Sequence, residues 1–88
     1  MSIESIHTTP QFDKHYRALA KIVKTAAKEK EGLFRLNPYN LRLRTHKLHG
    51  KDAGAWAFWI NQKYRIKFLF ITDRSVLFLD IGTHDIYS

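Results

Sequence analysis

The residues best suited to chemistry lie near the C-terminus. The stretch Tyr64 to Tyr87, YRIKFLFITDRSVLFLDIGTHDIY, carries Arg65 and Lys67 two residues apart and His84 in the run Gly82-Thr83-His84-Asp85. In an extended chain, side chains two apart share a face, so Arg65 and Lys67 form a cationic patch. A cationic sheet surface beside a histidine can hold and cleave a phosphodiester, because imidazole titrates at about 6.5 and can take or give a proton. A second cluster, His46-Lys47-Leu48-His49-Gly50, follows Arg42 and Arg44. Each residue also has a plainer reading. Arg65 can form a salt bridge, Asp80 being close. For Lys67, directly opposite Asp80, an ion pair is the better reading than a phosphate contact. His84 can simply close a turn. Lys47, Arg42 and Arg44 taken singly are solvated charge. No cysteine is present and no His-Glu-x-x-His spacing occurs, so neither a metal nor another cofactor is expected.

These residues need a sheet to hold them. Tyr64 to Ile71 reads as a strand, Thr72-Asp73-Arg74-Ser75 as a turn, and Val76 to Ile81 as a second strand, closing an antiparallel hairpin. A turn over Thr72 to Ser75 pairs Ile71 with Val76, Lys67 with Asp80 and Arg65 with Gly82. Tyr64, Ile66, Phe68 and Phe70 then share an apolar face with Leu77, Leu79 and Ile81, which predicts a helical cover. Upstream, Ala55 to Ile60 is a third strand with Trp56, Phe58 and Ile60 on one face. Leu41 to Leu48 is a strand or a basic loop running into one. Ser2 to Thr8 is a short first strand. Thr9-Pro10 is a helix start, with Thr suited to the N-cap and Pro to the first helical position. Phe12, Tyr16, Leu19, Ile22, Val23, Ala26 and Ala27 recur at helical spacing. One straight helix over this run would be too long for so small a domain, which predicts a helical hairpin with a corner near Ala20. Asn37-Pro38 ends it.

The 88 residues predict a single domain, residues 1–88, with one modest core. Lysine and arginine number 15 against 8 acidic residues, a formal net charge of +7, which suits nucleic acid or an acidic protein as partner. No run approaches the length of a membrane span, and MSIESIHTTPQ lacks the basic and apolar regions of a signal peptide. Together with the absence of cysteine, this predicts a cytoplasmic protein without a membrane partner.

Taken in order, Thr9-Pro10-Gln11-Phe12, Asn37-Pro38, His46-Lys47-Leu48-His49-Gly50, Tyr64-Arg65-Ile66 and Asp80-Ile81-Gly82-Thr83-His84-Asp85 resemble the RelE/ParE superfamily of toxins from bacterial type II toxin–antitoxin systems, and its YafQ-like branch most of all. The resemblance runs over nearly the whole chain. It implies an α+β fold of the small RelE-like kind, with an N-terminal strand and helical hairpin packed on a curved antiparallel sheet. It also implies a ribosome-dependent endoribonuclease that cuts messenger RNA, neutralised by an acidic antitoxin in a toxin–antitoxin hetero-oligomer. His46 stands at the histidine of the branch's His-x-Leu-x-Gly motif, and His84 at that of its Gly-Thr-His motif. Arg65 stands at the arginine many members use on the sheet, and Tyr87 stands one residue before the family's usual C-terminal aromatic. The chain departs from the pattern in two places. Trp56 to Asn61 holds no histidine, and no acidic residue lies in Asn61 to Lys63.

Cleavage of RNA through its 2′-hydroxyl needs a base, a cation at the phosphorane and an acid for the leaving oxygen. On this reading His84 is acid or base, His46 its complement, and Arg65 the phosphate-stabilising fork. Lys47, Arg42, Arg44 and Lys67 contact the backbone, while Trp59 and Tyr87 stack on bases. Two alternatives remain: a ParE-like DNA gyrase inhibitor without nuclease chemistry, and a decayed toxin that only binds its antitoxin.

Overall fold

Thr9 starts the first helix as its type dictates, its hydroxyl accepting the Phe12 amide at 3.0 Å while Pro10 takes the first helical position. A computed structural model of the chain describes residues 2–87, with Tyr87 by its backbone alone. Strand β1 is Ser5–Thr8, helix α1 Pro10–Ala18 and helix α2 Lys21–Leu36. The helices are separated by Leu19 and Ala20, both in extended geometry, at the corner the sequence predicts. Strands β2 (His46–Lys47), β3 (Trp56–Trp59), β4 (Tyr64–Phe70) and β5 (Ser75–Thr83) follow, with 3-10 turns at Leu41–Leu43, Gly50–Asp52 and His84–Tyr87. The basic segment 41–48 is therefore mostly turn, with a two-residue strand at its end.

The sheet order is β1-β5-β4-β3-β2. Strands β2 to β5 are antiparallel, as expected, and β1 adds itself in parallel to β5. The helices cover one face. Phe34 of α2 is fully buried, with its ring centre 4.6, 5.0 and 5.7 Å from those of Phe58, Phe68 and Phe78. Phe12 of α1 packs on Phe78 at 5.4 Å. No helix among the described residues is long and apolar enough to cross a membrane.

The β4–β5 register holds one correction. Arg65 pairs with Gly82, Ile66 with Ile81 and Lys67 with Asp80, as the sequence predicts. Nearer the turn, Phe68 pairs with Phe78 and Phe70 with Val76, so Leu79 is an extra residue in a bulge. The bulge shifts the phase of the strand. Val76 and Phe78 enter the helix-covered core, whereas Leu77 and Leu79 line the opposite side with Leu48, Ala55, Ala57 and Leu69. Alternation cannot reveal this, because Val76 to Leu79 is apolar at every position.

The first turn of α1 clamps that bulge. The Thr9 amide donates to the Phe78 carbonyl at 3.1 Å and its hydroxyl to the Leu79 carbonyl at 2.8 Å. Asp80 is 5% exposed and accepts from Gln11 Nε2 at 2.7 Å and its neighbour's amide, Ile81, at 2.8 Å. His15 Nδ1 lies 2.6 Å from the same carboxylate. A buried carboxylate needs such partners to offset lost hydration.

Candidate functional site

The face away from the helices carries Arg65, Lys67, Trp59 and His46, and the strand pairing sets Trp59 and Arg65 in a row. Lys47, paired with Trp56, lies on the helix-covered face instead. Trp59 on β3 pairs with Arg65 on β4, and Arg65 pairs with Gly82 on β5. Arg44, two residues before His46 on β2, reaches the same indole: its guanidinium carbon lies 4.4 Å from the ring centre, and that of Arg65 lies 3.8 Å from it. The two cations, one from the turn before β2 and one from β4, thus share a single ring on β3. Both contacts fall in cation–π range.

Arg65 is only 9% exposed. Its Nη1 donates to the carbonyls of Asn61 at 2.8 Å and Tyr64 at 3.1 Å. Among the described residues no carboxylate pairs with it, and Asp80 is held by α1 instead. Arg44 adopts a left-handed backbone with φ 52°, uncommon for a residue with a Cβ. The His46 ring is anchored there too, with Nδ1 2.8 Å from the Arg44 carbonyl oxygen.

Lys67 faces Asp80 in the register, but the expected ion pair does not form. Its ammonium sits 3.1 Å from Asp52 Oδ1 and donates to the Ile86 carbonyl at 3.2 Å. The bulge and the grip of α1 turn Asp80 to other partners, and Lys67 ties the Gly50–Asp52 turn to the His84–Tyr87 turn. Asp52 falls in a polar turn that sequence reasoning left without a role, and neither it nor the His15–Asp80 contact has a motif that would announce it. Lys67 also borders an open cleft of about 400 Å³, with Thr9, Pro10, Gln11, Leu79 and Asp80.

His84 opens the last 3-10 turn two residues past Gly82, at the Arg65 end of the hairpin. Its side chain is 79% exposed, with Nε2 3.9 Å from Asp85 Oδ1. His46 lies on β2, across β3 and β4 from β5. Three strand steps of roughly 4.8 Å separate those backbones by about 14 Å, with Arg65 between them. Lys47 lies over Trp56 at 5.4 Å, and Arg42 is exposed in the Leu41–Leu43 turn. The Tyr87 side chain lies outside the described residues. Strand β3 carries no histidine and presents Ala57 and Trp59 on this face.

The last turn is seated on Gly82. A Cβ added there would lie 2.9 Å from Cγ2 of Ile86, nearer than such atoms approach. Gly82→Ala is expected to push the turn outward and to cost about 1–3 kcal/mol, the usual range for overpacking. Thermal melts should show the loss, and amide resonances of His84 to Ile86 should move most. Unmoved resonances with an unchanged melt would contradict this seat.

This arrangement defines a fold class: the chain has the fold of the RelE- and ParE-type toxins. It is similar to the toxin in the Escherichia coli DinJ–YafQ toxin–antitoxin complex, with 20% identity, 98% of this chain and 97% of that one covered, and a TM-score of 0.74. A YoeB/ParE toxin from Agrobacterium tumefaciens matches with 13% identity, 92% and 99% coverage and a TM-score of 0.76. The archaeal RelE–RelB complex from Pyrococcus horikoshii matches with 17% identity, 94% and 96% coverage and a TM-score of 0.71. No protein-family model matches the chain, and no curated protein matches it in sequence.

Proposed function

We propose that this protein is the toxin of a type II toxin–antitoxin pair and acts as a ribosome-dependent endoribonuclease on messenger RNA. One observation carries the reading: on a RelE-like fold, a buried arginine with no carboxylate partner among the described residues lies in a row of paired strands whose last member leads directly to an exposed histidine. In this role His84 exchanges a proton with the 2′-hydroxyl or the leaving oxygen, and His46 acts as its complement from the other side of Arg65. The Arg65 fork meets the charge that develops at phosphorus. Arg42 contacts the RNA backbone, and Tyr87 stacks on a base. Lys67 acts on the same surface by holding the His84 turn. The direct test is induced expression followed by mapping of transcript ends in a translation extract. Codon-phased cuts are expected. Intact transcripts with inhibited gyrase, or with antitoxin binding alone, would replace this reading by one of its alternatives.

The partner is an acidic antitoxin. Leu36 and Leu41 are 73% and 92% exposed, beside Arg35 and Arg42, so apolar surface and positive charge lie together. A flexible acidic segment gains burial from the first and steering from the second. Its association rate is therefore expected to fall as salt rises, since exposed charges are screened over about 10 Å at 0.1 M, and the complex is expected not to cut RNA. Stopped-flow mixing across a salt series checks this. A rate indifferent to salt, or a cutting complex, would count against it.

A further inference from the structure

The two arginines on Trp59 are arranged in a way that a solvated basic surface does not require. Both guanidinium carbons lie within 4.4 Å of the centre of one indole. Among the described residues neither has a carboxylate partner, so the charge of both cations gathered at this ring is not neutralised by one. The Arg65 guanidinium is buried, yet only its Nη1 finds acceptors; Nε and Nη2 have none among the described residues. A buried donor left unmatched is costly unless a ligand completes it. Arg44, at the same ring, holds a left-handed backbone. A phosphate at each fork would satisfy the spare Arg65 donors and neutralise the charge gathered at the ring.

We infer that Trp59 is a positioning residue that fixes Arg44 and Arg65 as a paired fork for successive phosphates of single-stranded RNA. With two cations on its ring, the indole is not an open platform for a base, so its role is to orient two donors. This reading rests on the proposed nuclease function for its choice of RNA. It extends that proposal by giving the surface a subsite that reaches from the turn before β2, across β3, to β4.

The test is binding of a short 2′-O-methyl oligoribonucleotide, which cannot be cut through its 2′-oxygen, by fluorescence anisotropy across a salt series. Each phosphate neutralised on a single strand contributes about 0.7 to the slope of log K against log salt. Arg44→Ala is expected to lower the slope by about that amount. Trp59→Leu, which leaves both charges in place but removes the ring, is expected to lower it by as much or more. Trp59→Phe, which keeps an aromatic face, is expected to stay near the wild type. Circular dichroism and melting of each variant confirm the fold, and Arg44→Ala, at an exposed position, keeps the test decisive if Trp59→Leu fails to fold.

An unchanged slope for folded Arg44→Ala or folded Trp59→Leu overturns the inference. So does a variant set that weakens binding of a glutamate-rich peptide while leaving RNA untouched, since the fork would then serve protein carboxylates. Transcript cleavage separates the two levels. If the wild type cuts transcripts while the stack variants keep their slopes, the paired fork fails and the nuclease reading stands. If the wild type neither cuts transcripts nor binds the oligonucleotide, the nuclease reading fails with it.

Discussion

His84→Ala is expected to abolish transcript cleavage and relieve growth arrest while leaving the melting temperature unchanged. The structural half of this expectation follows from exposure. A side chain 79% exposed, with only a 3.9 Å contact to Asp85, contributes little to packing. The chemical half follows from its place at the end of β5 beside the Arg65–Gly82 pair. Proton transfer by a positioned side chain typically contributes about 10²- to 10⁴-fold. Single-turnover cleavage on programmed ribosomes measures the loss. A folded His84→Ala protein that cuts at the wild-type rate removes His84 from the mechanism.

Arg65→Ala is the second large effect, and here stability and chemistry must be separated. The arginine is buried, donates to two carbonyls and covers one side of Trp59, so its removal strands acceptors and opens a gap. A loss of about 1–3 kcal/mol in stability is expected from those contacts. A loss of about 10²- to 10³-fold in the chemical step is expected in addition, as for other donors aimed at developing negative charge. Arg65→Lys sharpens the comparison, because lysine keeps the charge and lacks the planar fork. Melts beside single-turnover rates, with each rate corrected for the fraction folded, divide the two effects. If the corrected rates of both variants match the wild type, Arg65 is a structural residue alone.

Much of the framework was legible in the sequence because it rests on local signals. Thr9-Pro10 marks a helix start through capping chemistry, Leu19-Ala20 falls where length forbids one straight helix, and Asn37-Pro38 stops the run. Arg65 opposite Gly82 followed from counting back from a polar turn that is one residue out of register, since Val76 pairs with Phe70 and not Ile71. The extra residue at Leu79 cancels that offset and restores the pairing beyond Lys67. What could not be read was long-range. The parallel union of β1 with β5 joins residues some 70 apart, and no periodicity encodes it. Asp80 going to Gln11 and His15, and Lys67 going to Asp52, depend on where a helix lands on the sheet. That Trp59 meets Arg44 and Arg65 at one ring also depends on the strand order, which no local pattern encodes.

The position of β5 also bears on synthesis. It lies C-terminal to every other strand, yet it sits between β1 and β4 in the sheet and receives both helices' aromatic side chains on Phe78. Until residues 75–83 have left the ribosome, β1 has no neighbour and the core has no centre. Folding of the nascent chain must therefore wait for its late residues, and the non-local pairing makes closure slow relative to a helical bundle of the same size. His84, the proposed proton carrier, follows that strand directly. A chain proposed to act on ribosomes thus completes its reactive surface only when its own translation has passed the last strand.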